Sequence, residues 1–268
     1  MIDEFAKDNS ERQELVMSVR LVPPSAVGVG SPEVNDYNSF AEAYAAVNET
    51  NLVNAYYERP AMLALVGEAA GRRILDAGCG SGLLFAALRD RGALVSGFDA
   101  STEMVELARR RLGDGADLRV TDLGGPLPYP DDTFDDVVAS LVLHYLEDWG
   151  PALAELRRVL KPGGRLIASV DHPFAVTLMH REVGLEAECD YFDTTNWTTE
   201  WTIGGQSALV SRWHRPLHAT IEAFTGAGFR IEVISEPDPD PAAHERFPEA
   251  IAAMPRFLSF LFFVLRSE

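Results

Sequence analysis

Short apolar runs alternate with amphipathic segments through the middle of the chain. Five runs have the length and composition of buried strands, at Arg73–Asp76, Leu94–Asp99, Leu118–Thr121, Asp136–Leu141 and Arg165–Val170. The intervening segments repeat their apolar residues at helical spacing, so strands and helices alternate along the sequence. This alternation predicts a parallel α/β sheet with helices packed on its faces.

The two ends of the chain depart from that pattern. The sequence predicts loose organisation for residues 1 to about 35, which proline and glycine punctuate, and two helices from Asn38 to Val66 that break near Pro60. Regularity lapses again from His172 to about Arg212, a stretch rich in aromatic residues and threonine. A helix and two further strands are predicted beyond it, at Leu217–Thr225, Phe229–Ile234 and Phe257–Arg266.

Composition and charge narrow the classes of partner. The 268 residues are 47% hydrophobic and 24% charged, which is ordinary for a globular chain. Lysine and arginine number 23 against 41 acidic residues, a net charge of −18. Such a chain repels polyanions unless its charge is strongly segregated, and the densest basic stretch, Arg109–Arg111, is best explained as a solvated helix face. We therefore expect neither a nucleic-acid partner nor an anionic membrane.

Cysteine content and the terminal segments bear on the compartment. Two cysteines, Cys79 and Cys189, suggest neither a disulfide framework nor a metal site, so no metal is expected. The acidic, polar start from Met1 to Leu15 does not resemble a secretory signal. The longest apolar run, Phe257–Leu265, is far shorter than the ~20 residues that span a bilayer. These features predict a cytoplasmic protein without a membrane partner.

A glycine-rich loop carries the clearest functional signal. Gly78, Gly80 and Gly82 lie where the first strand passes directly into a helix, and Asp99 ends the second strand about twenty residues later. Free N–H groups at a helix start favour an electron-rich ligand, and a carboxylate at the neighbouring strand tip can accept hydrogen bonds from ribose hydroxyls. These features are compatible with any nucleoside-containing ligand. A dinucleotide fingerprint, however, requires its third glycine at the position of Leu83.

Four segments in register resemble the class I S-adenosylmethionine-dependent methyltransferases that act on small molecules. They are Leu75–Gly82, Gly97–Ser101 with Met104, Phe134–Ser140 with Leu143 and His144, and Leu160–Leu166. The resemblance covers residues 40 to 172 well and the remainder weakly. It implies a doubly wound, Rossmann-like α/β fold, whose seven-stranded, mostly parallel sheet ends in an antiparallel strand near Phe257–Arg266. It also implies S-adenosyl-L-methionine as cofactor, with S-adenosyl-L-homocysteine as product.

We expect the chain to form a single methyltransferase domain, 1–268. Residues 1–70 would form an N-terminal helical cap and 71–172 the cofactor-binding core. Residues 173–216 would form an aromatic-rich lid inserted after the fifth strand, and 217–268 would supply the last strands. The lid and the N-terminal helices would enclose the acceptor, with Tyr191 and Trp197 as pocket walls.

The resemblance assigns roles to individual residues. The methionine part of the cofactor would lie against Gly78 and Gly80, with Cys79 between them as a small turn residue rather than a nucleophile. Asp76 would sit near its amino group and Asp99 would hold the ribose. The remaining cofactor-binding residues are Ala100, Met104, Asp122 and Leu123 around the adenine, Ser140 under the sulfonium end, and Tyr44 over the methionine carboxylate.

Methyl transfer needs a catalytic base only when the acceptor carries a proton at working pH, because proximity and orientation can supply much of the rate. The base candidates are His144 and His172, which follow the fourth and fifth strands, and His214 beyond the aromatic stretch. The favoured function is methyl transfer to an oxygen, nitrogen or carbon of a small organic acceptor, by a monomer or homodimer. Two alternatives remain open: a dinucleotide-dependent oxidoreductase and a non-catalytic cofactor-binding module.

Overall fold

The computed structural model describes residues 17–23, 33–184, 190–253 and 257–268. The strands, in chain order, are Met17–Val22 (β1), Arg73–Ala77 (β2), Leu94–Asp99 (β3), Asp117–Val120 (β4), Phe134–Ser140 (β5), Leu160–Asp171 (β6), Thr195–Ile203 (β7), Gln206–His214 (β8), Phe229–Ser235 (β9) and Phe260–Ser267 (β10). The α-helices are Ala41–Thr50 (α1), Arg59–Val66 (α2), Leu83–Asp90 (α3), Thr102–Leu112 (α4), Gly150–Val159 (α5), Pro173–Glu182 (α6), Leu217–Gly226 (α7), Pro241–Arg246 (α8) and Pro248–Ala253 (α9).

Seven strands form one large sheet in the order β4-β3-β2-β5-β6-β10-β9. The pairs between β4, β3, β2, β5 and β6 are all parallel, whereas β10 runs antiparallel to both β6 and β9. The chain order reverses between β2 and β5, which opens a crevice at the carboxyl ends of these strands. This topology confirms the predicted doubly wound, seven-stranded fold with an antiparallel last strand.

Alternating residues of the central strands pack on opposite faces of the sheet. Leu75 and Val137 face one core with helix residues such as Leu156. Ile74 faces the other core, together with Leu88 of α3. Successive strand residues point to opposite sides, so a strand buried on both faces must be apolar throughout. This accounts for the apolar runs in the sequence and makes the polar Asp76 of β2 conspicuous.

The N-terminal segment and the insertion after β6 meet in a second sheet of three antiparallel strands, ordered β1-β7-β8. The predictions of loose organisation near the start and of lost regularity after His172 are therefore wrong at these strands, and the cap is not purely helical. A two-residue turn at Gly204–Gly205, both with positive φ, closes the β7–β8 hairpin. A paired glycine between two β-rich runs is a hairpin signal that the aromatic content of the segment obscured.

The helices before β2 also depart from expectation. A single π-helical turn, Asn54–Glu58, runs straight into α2, whose first turn contains Pro60. Pro60 has no N–H to donate to the preceding turn, yet the backbone stays helical on both sides of the junction at Glu58 and Arg59. The predicted break near Pro60 is therefore wrong, and the helical path is interrupted instead at Asn51, where the backbone is extended.

Other local predictions are confirmed. Ser101 Oγ accepts a hydrogen bond from Met104 N at 3.1 Å, so Ser101 is the N-cap of α4. The last strand begins at Phe260 rather than Phe257. The predictions about Cys189 and residues 1–15 fall outside the described residues. Within the described ranges, no helix has the length and apolar character needed to cross a membrane.

Candidate cofactor and acceptor site

The glycine loop between β2 and α3 lies in the crevice at the carboxyl edge of the large sheet. Gly78 and Gly80 both have positive φ, of 77° and 52°. Gly78 N and Cys79 N donate to Phe98 O at 2.9 and 2.8 Å, which anchors the loop to β3. A Cβ atom on Gly78 would lie 2.7 Å from Val142, whereas one on Gly80 would meet nothing within 4 Å. The loop is thus packed at Gly78 and open at Gly80.

Asp76, the last polar residue of β2, is buried without a partner. Its exposed fraction is 1%, and neither carboxylate oxygen has a hydrogen bond within the described part of the chain. Burial, together with the nearby carboxylates of Glu58 and Asp99, raises the pKa of Asp76 to about 8. An unpaired buried carboxylate is costly unless a cation or hydrogen-bond donor joins it. The residue that is anomalous in the fold is therefore suited to a cationic ligand group.

Asp99, at the tip of β3, is held by the loop it faces. Its Oδ2 accepts from Gly80 N and its Oδ1 from Ser101 N, both at 2.9 Å. Burial raises the pKa of Asp99, and these backbone N–H groups act in the opposite direction. Each carboxylate oxygen retains a further lone pair for a ligand hydroxyl. The position and remaining acceptor capacity of Asp99 suit the ribose contact that the sequence predicts.

The residues predicted to surround adenine lie at the same edge of the sheet. Ala100 follows β3 and is exposed, while Met104 in the first turn of α4 is 2% exposed. Asp122 is exposed and its Oδ1 accepts from Gly124 N at 2.8 Å, whereas Leu123 beside it is buried. The Asp122 side chain therefore stabilises the turn in which it lies. The adenine roles of these residues stay predictions.

A buried carboxylate that the sequence does not single out lies close to Asp76. Glu58, the last residue of the π-helical turn, is 4% exposed. Its Oε1 accepts from Ser140 Oγ at 2.6 Å and from Ser169 Oγ at 2.7 Å. Burial raises the pKa of Glu58, and the two serine hydroxyls oppose that shift. Single π-helical turns recur at functional sites, but the sequence carries no clear mark of this one.

His144 is buried beside Asp171 near the carboxyl end of the sheet. Asp171 N donates to His144 Nδ1 at 3.2 Å, so the neutral ring carries its proton on Nε2. Burial lowers the pKa of His144 to about 4, against the opposing pull of the Asp171 carboxylate 3.5 Å away. The imidazole is therefore neutral near pH 7 and a weak proton acceptor.

The other two predicted bases are engaged in structural contacts. His172 Nδ1 accepts from Phe174 N at 3.2 Å at the start of α6, and its Nε2 lies 2.9 Å from Glu236 Oε1. His214 Nε2 lies 2.9 Å from Tyr191 O, and burial lowers the pKa of His214. His144 and His214 line one narrow internal cavity with Asp171, while His172 lies apart from it. The structure does not gather the three histidines into one catalytic group.

An aromatic cluster joins the N-terminal helix to the second sheet. The Tyr44 ring stacks on Trp201 with centroids 5.6 Å apart, and Tyr37 packs edge-on against both. The Tyr37 and Tyr145 hydroxyls are hydrogen bonded. Burial raises the pKa of Tyr44, and the neighbouring Tyr145 and the Glu58 carboxylate act in the same direction. The cluster, defined as Tyr37, Phe40, Tyr44, Tyr145 and Trp201, thus lies next to the acidic end of the crevice.

Arg212 connects this cluster to the rest of the insertion. Its guanidinium lies 4.1 Å from the Trp197 ring centroid and 5.7 Å from that of Trp201. Its nearest acidic partner is Asp171 at 3.5 Å. Trp197 is buried under this cation, and Tyr191 supports His214 through its carbonyl. Neither Tyr191 nor Trp197 belongs to the cluster beside the crevice, so their role as pocket walls stays a prediction.

S-adenosylmethionine matches the donors and acceptors of this crevice. Its ammonium group suits the unpartnered Asp76, its ribose suits Asp99, and its methionine part suits the open backbone at Gly80. No group of His, Cys, Asp and Glu in the described ranges is arranged to hold a metal ion. The fold and the acids at this edge together are typical of an α/β protein that binds a nucleoside-containing ligand.

Comparisons with known proteins agree with that class. A family model described as a methyltransferase domain, Methyltransf_11, matches residues 75–168. A demethylmenaquinone methyltransferase of Tropheryma whipplei is 34% identical over 142 residues, which cover 51% of this chain and 58% of that protein. Another, of Clavibacter sepedonicus, is 41% identical over 133 residues, covering 48% of this chain and 54% of that protein. The chain thus spans little more than half the length of these curated relatives.

A solved structure extends the similarity beyond the core. An S-adenosylmethionine-dependent methyltransferase from Mesorhizobium loti is 28% identical, with a TM-score of 0.60 over 77% of this chain and 96% of that one. Taken with the glycine loop and the strand order, these matches show that the chain contains a class I S-adenosylmethionine-dependent methyltransferase domain. They confirm S-adenosylmethionine as the cofactor and disfavour the dinucleotide-dependent oxidoreductase.

Proposed function

We propose that the protein transfers a methyl group from S-adenosylmethionine to a carbon or oxygen of a small, planar organic acceptor. The observation that carries this proposal is the sealed, unpartnered Asp76 carboxylate beside the open backbone of Gly80. A stable fold gains nothing from such a carboxylate, whereas a ligand ammonium group would satisfy it. Nucleoside binding by Asp99 then fixes the orientation of the ligand in the crevice.

The chain contributes chiefly by binding and orienting the reactants. When bound, the cofactor supplies a methyl group that its sulfonium has already activated. Asp76 and Asp99 would hold the two ends of the cofactor, and the glycine loop would fix its distance from the sheet. The aromatic cluster would present the acceptor ring and exclude water from the crevice.

The acceptor class is inferred from the walls of the site. Tyr44 stacks on Trp201 and Tyr37 packs edge-on against Tyr145, so the cluster is a packed aromatic surface that contains two mutually hydrogen-bonded hydroxyl groups. Such a surface suits a planar ring that carries oxygen substituents. Two relatives are named for demethylmenaquinone methylation, so a reduced naphthoquinone is the first acceptor to test.

The histidines bear on how such an acceptor would lose its proton. His144 is neutral near pH 7 because burial lowers its pKa to about 4, and His172 and His214 already have backbone partners. A hydroquinone hydroxyl, like other phenols, is protonated near pH 7, so its proton must pass to water or another group as the methyl is transferred. We infer that His144 orients groups around Asp171 rather than taking a proton. A small-molecule acceptor, a cytoplasmic location and a monomeric or dimeric state also remain part of this proposal.

The test is a methyl-transfer assay with labelled S-adenosylmethionine. The purified chain is incubated with reduced demethylmenaquinone and other hydroxylated aromatic compounds, and methylated products are identified by mass. Methylated product together with S-adenosylhomocysteine supports the proposal, and Asp76→Asn serves as the inactive control. If S-adenosylmethionine binds but no compound in the panel is methylated, a planar hydroxylated acceptor is ruled out and the cofactor-binding module becomes the better account.

A further inference from the structure

None of the roles described so far involves the buried carboxylate of Glu58. It lies at the end of a π-helical turn, and no ion pair of the described residues includes it. The neighbouring Arg59 directs its guanidinium elsewhere, donating to Asn48 O at 2.8 Å and Asn48 Oδ1 at 3.1 Å. Glu58 is therefore a buried acid that makes no ion pair with a described residue, and Arg59 acts on it only as a nearby charge that lowers its pKa.

The two carboxylate oxygens of Glu58 differ in their hydrogen-bond partners. Oε1 accepts both serine hydroxyls, from Ser140 at the end of β5 and Ser169 near the end of β6. Oε2 receives no hydrogen bond from any described residue, yet it is not among the fully sealed atoms without partners. The carboxylate is thus held at the carboxyl edge of the sheet through one oxygen, and its other oxygen keeps its capacity to accept a further partner.

The strand register locates Glu58 relative to Asp76. Ser140, which donates to Glu58, lies two residues beyond Val138, the β5 partner of Asp76, and both positions are at the carboxyl edge of the sheet. Glu58, Asp76 and Asp99 therefore lie at one edge of the sheet, with Asp76 suited to the ammonium end of the cofactor and Asp99 to the ribose. In S-adenosylmethionine the sulfonium lies on the short chain between those two ends, so we expect its charge at the sheet edge where Glu58 also lies.

We propose that Glu58 is the counter-ion of the cofactor's sulfonium and favours S-adenosylmethionine over S-adenosylhomocysteine. This inference rests on the proposed function, because it requires the cofactor to occupy the crevice. A buried carboxylate attracts a cation far more strongly than it would in water. Methyl transfer removes that positive charge, so the same carboxylate holds the product less tightly. Glu58 would thereby help exchange spent cofactor for fresh cofactor.

This role differs from that of a general base. An attraction to the sulfonium is strongest before the reaction and fades as the charge is lost, so it contributes to binding and product release rather than to the chemical step. A base would instead slow turnover when removed and leave the preference between the two cofactor forms unchanged. Binding measurements alone can therefore distinguish the two roles.

The experiment compares both cofactor forms by titration calorimetry on wild type and Glu58→Gln. Glutamine keeps the size of the side chain, and its amide oxygen can accept both serine hydroxyls. We expect the ratio of S-adenosylmethionine to S-adenosylhomocysteine affinity to fall about tenfold in this variant. Glu68→Gln, the same change at an exposed glutamate, serves as the matched control and should leave the ratio unchanged. An unchanged ratio in folded Glu58→Gln would overturn the proposal.

A ligand series keeps the test decisive if Glu58→Gln fails to fold. Sinefungin carries an ammonium group in place of the sulfonium, so wild-type protein should bind it and S-adenosylmethionine more tightly than neutral S-adenosylhomocysteine. Equal affinity for all three ligands would contradict the counter-ion role while leaving the proposed function intact. Failure of the wild-type protein to bind any of them would refute the proposed function itself.

Discussion

The crevice side and the acceptor side of this protein are built in different ways. On the crevice side, a few short motifs fix the backbone, and the two acids Asp76 and Asp99 lie at adjacent strand tips. On the acceptor side, aromatic residues from the N-terminal helix, the turn after β5 and the second sheet come together from distant parts of the chain. The crevice side depends on short local motifs, which can serve many nucleoside-containing ligands. The acceptor side is assembled by tertiary packing, which lets it vary with the acceptor.

This contrast has an energetic counterpart. The crevice keeps unsatisfied groups, above all the sealed Asp76 carboxylate, whereas the aromatic cluster is packed and internally hydrogen bonded. Functional sites commonly hold such costly groups, because the ligand supplies the missing partner. Substitutions on the crevice side should therefore act on cofactor affinity, and substitutions on the acceptor side should spare it.

The largest effect is expected from Asp76→Asn. Losing the anionic partner of the ligand ammonium group should weaken S-adenosylhomocysteine binding about 100-fold, the order expected for breaking a buried charge pair. The melting temperature of the ligand-free protein at pH 8 should be unchanged or higher, because an unpaired buried carboxylate is removed. Calorimetry and thermal unfolding measure both quantities, with the exposed Asp114→Asn as control. Wild-type affinity in Asp76→Asn would show that this acid does not contact the ligand.

The raised pKa of Asp76 predicts a pH dependence of binding. With a pKa of about 8 in the free protein, Asp76 is protonated at lower pH and must lose its proton to pair with an ammonium group. Cofactor affinity should fall by up to roughly tenfold per pH unit below 8, with proton release on binding. For the same reason, the ligand-free fold should lose stability as pH rises from about 4 towards 8. Calorimetry in two buffers measures the released protons, and a flat profile would contradict the assignment.

A smaller loss is expected from Asp99→Ala. The substitution removes the acceptor for the ribose hydroxyls and also leaves Gly80 N and Ser101 N without their partner. Cofactor affinity should fall about 10-fold or somewhat more, the range for a hydrogen bond to a charged group. Asp99→Asn, which retains one acceptor oxygen, should lie between this variant and wild type. If Asp99→Ala binds like wild type, the ribose lies elsewhere.

The smallest effect on the cofactor is expected from Tyr145→Phe on the acceptor side. It removes the hydroxyl that bonds to Tyr37 without opening a cavity, at a stability cost of about 1 kcal/mol. Cofactor affinity should stay within about twofold of wild type, while the KM for the acceptor should rise. A large loss of cofactor affinity would mean that the two sides of the site are not separable.

The crevice side could be predicted from the sequence because its geometry is local. The glycine turn, the N-cap at Ser101 and the acids at Asp76 and Asp99 each lie within a few residues of the strand that positions them. The alternation of apolar runs likewise predicted all seven strands of the large sheet. The antiparallel position of the last strand came only from the resemblance to a family.

The acceptor side could not be predicted in the same way. β1 pairs with β7, whose residues lie about 180 positions later in the chain, as in the pair Val19 and Trp201. The periodicity within either segment does not indicate that pairing. The paired glycines at Gly204–Gly205 are a hairpin signal, but the aromatic content of the segment obscured it. Glu58 is a polar residue within a segment that has a helical pattern. Only the fold shows that the side of the helix carrying Glu58 is buried.

The most direct test of this account is whether the purified protein binds its cofactor at the acidic crevice. Titration calorimetry with S-adenosylhomocysteine should give a measurable affinity for wild type, and Asp76→Asn should reduce it about 100-fold while keeping the protein folded. Binding that is absent in wild type, or that is equally strong in the variant, would contradict the claim that Asp76 awaits a cationic ligand group.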